Sequence, residues 1–249
     1  GAESIEEARD IVHKISSVLN SAGFKLRKWI ANEAAVIEDI CTEDQNPNGI
    51  NFKCGLPTKI LGLVWQAHQD MLVYSIEKLL SPKVSKRQIL SEITRIFDPL
   101  GLLSPCLVLA KILLQKLWMH KLSWDEAIPA DLHSTWIAFR NQINDLNQIE
   151  IPRHVICRGY TRIELHGFAD AAQGAYGACI YIRSMVDQNT KQARLLCSKT
   201  RVAPLKQQTI PRLELCAALT LARLTKKVTG SLNILFHKVK YWSDATIVL

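Results

Sequence analysis

No Cys-x-x-Cys pair occurs in this chain of 249 residues, and its 7 cysteines (41, 54, 106, 157, 179, 197 and 216) are an odd number scattered along it. Neither a zinc site nor a disulfide framework is indicated. The cysteines read instead as small core residues, which suits a reducing compartment. There is no Asn-x-Ser/Thr acceptor, and the opening GAESIEEARD has no signal-peptide character. Long apolar runs are missing too, since the longest, around Leu100 to Ala110, holds Ser104 and Pro105 and ends at Lys111. That falls short of the roughly 18 residues a membrane span needs, so no membrane partner is expected. Acids are scarce in the last part of the chain: residues 151–249 carry 5 Asp and Glu against 15 Lys and Arg, while residues 1–150 carry 18 against 16. The net charge of +8 is therefore +10 in the C-terminal part set against −2 before it. Such an excess suits a polyanionic partner, although a basic surface also serves solubility alone.

What is present is ordinary for a packed protein: at 48% hydrophobic and 22% charged, disorder does not dominate, and the length allows one large or two ordinary domains. Ser4 and Glu7 fit a capping box, and apolar residues follow at helical spacing until Gly23, which predicts an amphipathic helix. Phe24 to Ala31 alternates enough to predict a strand, and Asn46-Pro47-Asn48-Gly49 a turn. Lys59 to Gln66 and Met71 to Ile76 predict a hairpin beside that strand, with Leu61, Leu63 and Trp65 buried and Gly62 marking a bulge or close approach. After Pro82 the pattern turns helical over about 86–97, 105–120 and 130–146, with a second capping box at Ser85 and Gln88 and a helix-breaking turn at Asp98-Pro99-Leu100-Gly101. Trp118, Trp124 and Trp136 recur there and read as core.

From Tyr160 to Ile182 the period changes to two. Ile163, Leu165, Gly167 and Ala169 alternate with Arg162, Glu164, His166 and Phe168, and Asp170 ends the strand. Small residues then lead into a second strand from Gly177, and a third is expected near Arg194 to Ser198. Thr209 as N-cap and Pro211 open a helix running to about Val228, with Glu214 in its first turn, and Ile234 to Ser243 returns as a strand before Asp244. The order β-β-β-α-β makes the fold class α/β: an α+β N-terminal part, a helical middle, and a mixed sheet with a crossover helix at the C-terminus. A right-handed crossover would place the fourth strand parallel to the first, so that Asp170 and Asp244 leave the same edge and Glu214 joins them from the helix. Three clustered carboxylates need a cation, and hard oxygen ligands select Mg²⁺ or Mn²⁺. A strand-end Asp is also a common turn former, and Glu214 also suits a helix N-terminus.

FADAA (168–172), IPRLELCAA (210–218) and YWSDATIVL (241–249) together resemble the ribonuclease H domain of long-terminal-repeat retrotransposons, the Bel/Pao group in particular. GFKLRKWIAN (23–32) and TKILGLVW (58–65) resemble the end of a reverse-transcriptase palm and its primer grip, and RIFDPLGLLSP (95–105) and LSWDEAIP (122–129) that group's thumb and connection. The resemblance is co-linear over nearly the whole chain. It implies three parts: 1–80 as the palm end, 81–155 as a helical thumb or connection, and 156–249 as an RNase H-like domain. It also implies that Asp170, Glu214 and Asp244 are catalytic metal ligands for Mg²⁺ or Mn²⁺, and that the partners are RNA/DNA hybrid or other nucleic acid and the rest of a Pol polyprotein. Lys199, Arg201, Lys206 and Arg212, between the third strand and the helix, are candidates for contact with the duplex backbone, and each taken singly also reads as a solvated surface charge. The expected setting is intracellular, in a cytoplasmic virus-like particle.

No Tyr-x-Asp-Asp occurs, so the polymerase loop is expected before Gly1; the fourth acid of the nuclease is expected beyond Leu249, and this chain alone is expected to bind hybrid and cut it poorly. A peptidase name also attaches to this region of Pao elements. An aspartic peptidase needs Asp-Ser/Thr-Gly, and no aspartate here is followed that way; Asp244-Ala245-Thr246 comes nearest. The competing class is a noncatalytic nucleic-acid-binding or structural remnant of a decayed or domesticated element.

Overall fold

In the computed structural model, which describes residues 2, 4–45, 50, 51, 62–76 and 84–248, Ser4 accepts a hydrogen bond from the Glu7 amide at 3.1 Å and opens α1 (Ile5–Ser21). The helix closes as its sequence predicts, with Gly23 at φ +79° and the amides of Gly23 and Phe24 returning to Asn20 and Leu19. The next segment differs from expectation: Phe24 to Ala31 is not a strand. Lys28 takes φ +61°, and a single parallel bridge joins Trp29 to Gln45. The cause is buried Asp44, whose carboxylate draws in Lys25 at 2.7 Å and Arg27 at 3.5 Å while its carbonyl accepts from the Trp29 amide. Alternating lysines and arginines here wrap an acid instead of lining a solvent face.

β1 (Ile50–Asn51), β2 (Gly62–Gln66), β3 (Met71–Ser75) and β4 (Glu150–Pro152) form an antiparallel sheet in that order. The β2–β3 hairpin is the predicted one, with Leu63 buried and Trp65 only partly so, because its indole N–H reaches Asp70 at 2.9 Å. Asp70 also binds Arg153, whose guanidinium lies 5.1 Å over the Trp65 ring. Leu61 and the turn at 46–49 lie outside the described residues. The Asn147 amide clamps Ile76, accepting from its N–H at 2.6 Å and donating to its C=O at 3.0 Å. These elements belong to one compact unit, Gly1–Glu77 with Asp145–His154.

The second unit is Lys78–Asn144 with Val155–Leu249. Its helices α2 (Lys86–Thr94), α3 (Ser104–Met119) and α4 (Ala130–Gln142) pack through Ile89, Leu113, Leu117, Leu132 and Trp136. Trp136 is core as expected. Trp118 and Trp124 are not: both are exposed, edge to face at 5.4 Å, with the Lys86 ammonium 4.3 Å and 5.1 Å from their ring centres. The two rings shelter a cation instead of filling a core.

The Asp98-Pro99-Leu100-Gly101 turn has a double task. Asp98 accepts from the amides of Leu102 and Leu103 to start α3, and the Leu100 carbonyl accepts from the Ser198 amide at 2.9 Å. Gly101 has φ +73°, and a Cβ there would lie 2.0 Å from the Ser198 carbonyl oxygen. Gly101→Ala should therefore destabilise the unit by more than about 2 kcal/mol, because neither the backbone conformation nor the neighbouring strand admits a methyl. Chemical denaturation checks this, and an unchanged midpoint would show that the turn can move away from the strand.

The C-terminal sheet comprises β5 (Arg162–Ala171), β6 (Ala175–Met185), β7 (Lys191–Val202) and β8 (Lys238–Trp242), in the order β7-β6-β5-β8. β5, β6 and β7 are antiparallel neighbours, whereas β8 runs parallel to β5 after the crossover helix α5 (Ile210–Ser231). Leu165, Ala169, Ala178, Ile180 and Cys197 meet Ala217, Leu221 and Val228 of α5 in one core. Gly167 permits that approach, since a Cβ there would lie 2.6 Å from a Leu221 methyl. No helix among the described residues is long and apolar enough to cross a membrane.

Candidate metal centre

Strand pairing and crossover bring three acids to one end of the sheet. Asp170 is the penultimate residue of β5, Asp244 follows β8 by two residues, and Glu214 is the fifth residue of α5, one position beyond the first turn expected for it. One carboxylate oxygen of each lies within 4.8 Å of the other two. Asp170 and Asp244 are exposed, and Glu214 is buried.

A single amide orients two of them. The Ala171 N–H donates to Asp170 Oδ1 at 2.7 Å and also to Glu214 Oε1 at 3.3 Å. The other oxygen of Glu214, Oε2, is buried and has no hydrogen-bond partner. Burial pushes the Glu214 carboxyl above the usual carboxylate range, helped by the negative charge of Asp170 and, less strongly, of Asp244, while the Ala171 amide opposes the shift. Two carboxylates about 4 Å apart repel by roughly 4 kcal/mol at an effective dielectric of ~20. An orphaned buried oxygen among mutually repelling carboxylates is what a divalent cation would relieve, and an all-oxygen donor set fits Mg²⁺ or Mn²⁺.

The four basic residues singled out in the sequence are all exposed and are spread over three elements. Lys199 and Arg201 share one face of β7 by their spacing, Lys206 lies in the loop after it, and Arg212 sits two residues before Glu214 in α5. Their loop borders a feature that the sequence did not announce, a cavity of about 390 Å³ lined by Gln173, Leu205, Gln207, Gln208, Thr209 and Ile210 among others. Glutamines in a loop carry no periodic signal, so only the approach of the β5–β6 turn to the start of α5 reveals them.

Glu164, His166 and Trp242 were also missed as a group. Glu164 is 3% exposed, bound by Arg162 at 2.8 Å, His166 at 3.1 Å and Arg183 at 3.5 Å. Burial alone would raise its carboxyl, but His166, Arg162 and Arg183 hold it below the usual range. Alternation on β5 placed Glu164 and His166 on one face; the indole that completes the group comes from β8.

The sequence matches the family described as Pao retrotransposon-like RNaseH-like domain over residues 85–245. Among solved structures it is similar to the foamy viral protease-reverse transcriptase dRH in complex with ds DNA, at 10% identity and a TM-score of 0.41, over 76% of this chain and 31% of that one. This chain thus spans under a third of the length of that relative. No curated protein sequence matches it.

Proposed function

We propose, for a chain that belongs to the Pao retrotransposon-like RNaseH-like domain family, that Asp170, Glu214 and Asp244 hold Mg²⁺ or Mn²⁺ and that the domain built on them hydrolyses the RNA strand of RNA/DNA hybrids. The observation that carries the reading is the convergence of three carboxylate oxygens within 4.8 Å around a buried, unpartnered Glu214 oxygen. When bound, such ions lower the pKa of water and polarise the scissile phosphodiester. The chain's own part is to place the ligands. Glu214 is fixed by burial in α5, the Ala171 amide sets Asp170 against it, and exposed Asp170 and Asp244 face the solvent side from which a duplex approaches. Lys199, Arg201, Lys206 and Arg212 then neutralise phosphates, which orients the duplex without reading its sequence.

The same reading divides the chain by ancestry into palm end (1–80), thumb or connection (81–155) and nuclease (156–249), a division distinct from compactness. The second reading, a noncatalytic nucleic-acid-binding remnant, is favoured by the net +10 of residues 151–249, which suffices for binding without chemistry. A labelled RNA/DNA hybrid incubated with Mg²⁺ or Mn²⁺ separates the two. RNA-strand cleavage by the chain, or by a longer form of its polypeptide, supports the nuclease; binding without cleavage in every form supports the remnant.

A further inference from the structure

β8 carries Asp244 two residues past its end and pairs in parallel with β5, and just before it the His237 amide donates to the Ile163 carbonyl at 2.9 Å while His237 Nδ1 accepts from the Ile163 amide at 3.2 Å. All five of its residues are exposed, and among the described residues its one strand partner is β5. Beyond it, Ala245 bonds to the Ser243 hydroxyl and Val248 to the Ala245 carbonyl, contacts that stay within the segment itself.

Side chains add to this ladder on the face of the sheet turned away from α5. The Trp242 indole N–H donates to His166 Nδ1 at 3.1 Å, and His166 Nε2 meets Glu164 Oε2 at 3.1 Å. An indole nitrogen only donates, so Nδ1 is the acceptor and the imidazole proton sits on Nε2, pointing at Glu164. Glu164 is in turn gripped by Arg162 and Arg183. The Trp242 ring also stacks on His166 and on Phe168, at 6.0 Å and 6.1 Å between centres and 11° between planes, with the Lys240 ammonium 5.9 Å away. Phe168 and Trp242 are register partners, and each stands two residues before a carboxylate, Asp170 and Asp244 respectively. The ring pair therefore joins the two strands two residues before each acid.

We propose that Glu164, His166 and Trp242 are positioning residues, a hydrogen-bonded chain across β5 and β8 that holds the exposed strand so that Asp244 meets Asp170 and Glu214. The consequence for metal binding rests on the function proposed above; the hold on β8 does not.

The test uses the whole chain and two readouts, amide hydrogen exchange over 238–246 and the dissociation constant for Mn²⁺. His166→Leu removes both hydrogen bonds, and exchange should quicken about fivefold or more. Mn²⁺ should bind about tenfold more weakly or worse, as when a partner that orients a metal ligand is lost. Trp242→Phe keeps the ring stack, deletes one N–H and should move both readouts the same way; it decides the matter if His166→Leu fails to fold. His166→Gln, whose amide can both accept from Trp242 and donate to Glu164, should recover most of the loss, which a merely space-filling histidine would not predict. Unchanged exchange, or faster exchange with unchanged Mn²⁺ affinity, overturns the proposal. Faster exchange in variants of a wild-type chain that binds no Mn²⁺ upholds the hold on β8 and sinks the metal-binding reading instead.

Discussion

Divalent cation is expected to raise the melting temperature of the second unit, Glu214→Gln to cancel most of that gain, and the same variant to melt higher than wild type when no cation is present. The buried Glu214 carboxylate faces two other acids and keeps one oxygen without a partner, so ionising it in the folded chain is unfavourable. Its pKa is raised on folding. Its contribution to stability is therefore full below the unfolded-chain value and is lost as pH rises through the raised folded value. Once ionised, the group opposes folding. Glutamine cannot ionise, so the cost of a charge beside two other carboxylates disappears. Cation reverses the balance, contributing about 2.7 kcal/mol at a hundredfold excess over its dissociation constant. For a unit of this size that corresponds to about 5–10 °C. Protons compete for the same oxygens, so the cation-induced shift should grow as pH rises through the raised pKa of Glu214. Scanning calorimetry with and without Mn²⁺ at several pH values reads all three effects. A Glu214→Gln chain that is less stable than wild type without cation and still gains as much from it would remove Glu214 from the site.

Asp170→Asn should lower RNA-strand cleavage by about three orders of magnitude in whichever length of the polypeptide cuts hybrid, since a metal site contributes several kcal/mol of transition-state charge stabilisation. Hybrid binding should stay equal or tighten, because the change removes one negative charge near the duplex without altering shape. Binding should weaken steeply with salt. If Lys199, Arg201, Lys206 and Arg212 each neutralise one phosphate, replacing all four with alanine should reduce the log–log salt slope by about 3–4. Filter binding across a salt series measures this. Undiminished cleavage by Asp170→Asn would mean that the chemistry lies elsewhere; an unchanged slope would mean that the duplex takes another path over the basic surface.

The strand at 162–171 was legible because one of its faces is covered by a helix, which forces apolar and polar residues to alternate. Trp118 and Trp124 misled because periodicity tells which residues share a face, and nothing about whether another element covers it. Phe24 to Ala31 misled for a related reason: the acid that its cations enclose, Asp44, lies well beyond any local window.

The helix caps at Ser4 and Ser85, the turn at Asp98–Gly101 and the order of the C-terminal strands and helix are local properties of the chain, carried by short spacings, and the basic excess after residue 150 is one of composition; the three acids stood out by their places at strand and helix ends together with the family resemblance. Convergence is not local. Asp170 and Asp244 meet because β8 pairs parallel to β5 after a crossover through α5, and the indole of Trp242 reaches an imidazole 76 positions earlier in the chain. Glu214 is ordinary as a letter in the sequence; its burial, its orphaned oxygen and its raised pKa exist only once α5 lies against the sheet, because desolvation and charge repulsion depend on distances that chain order does not contain.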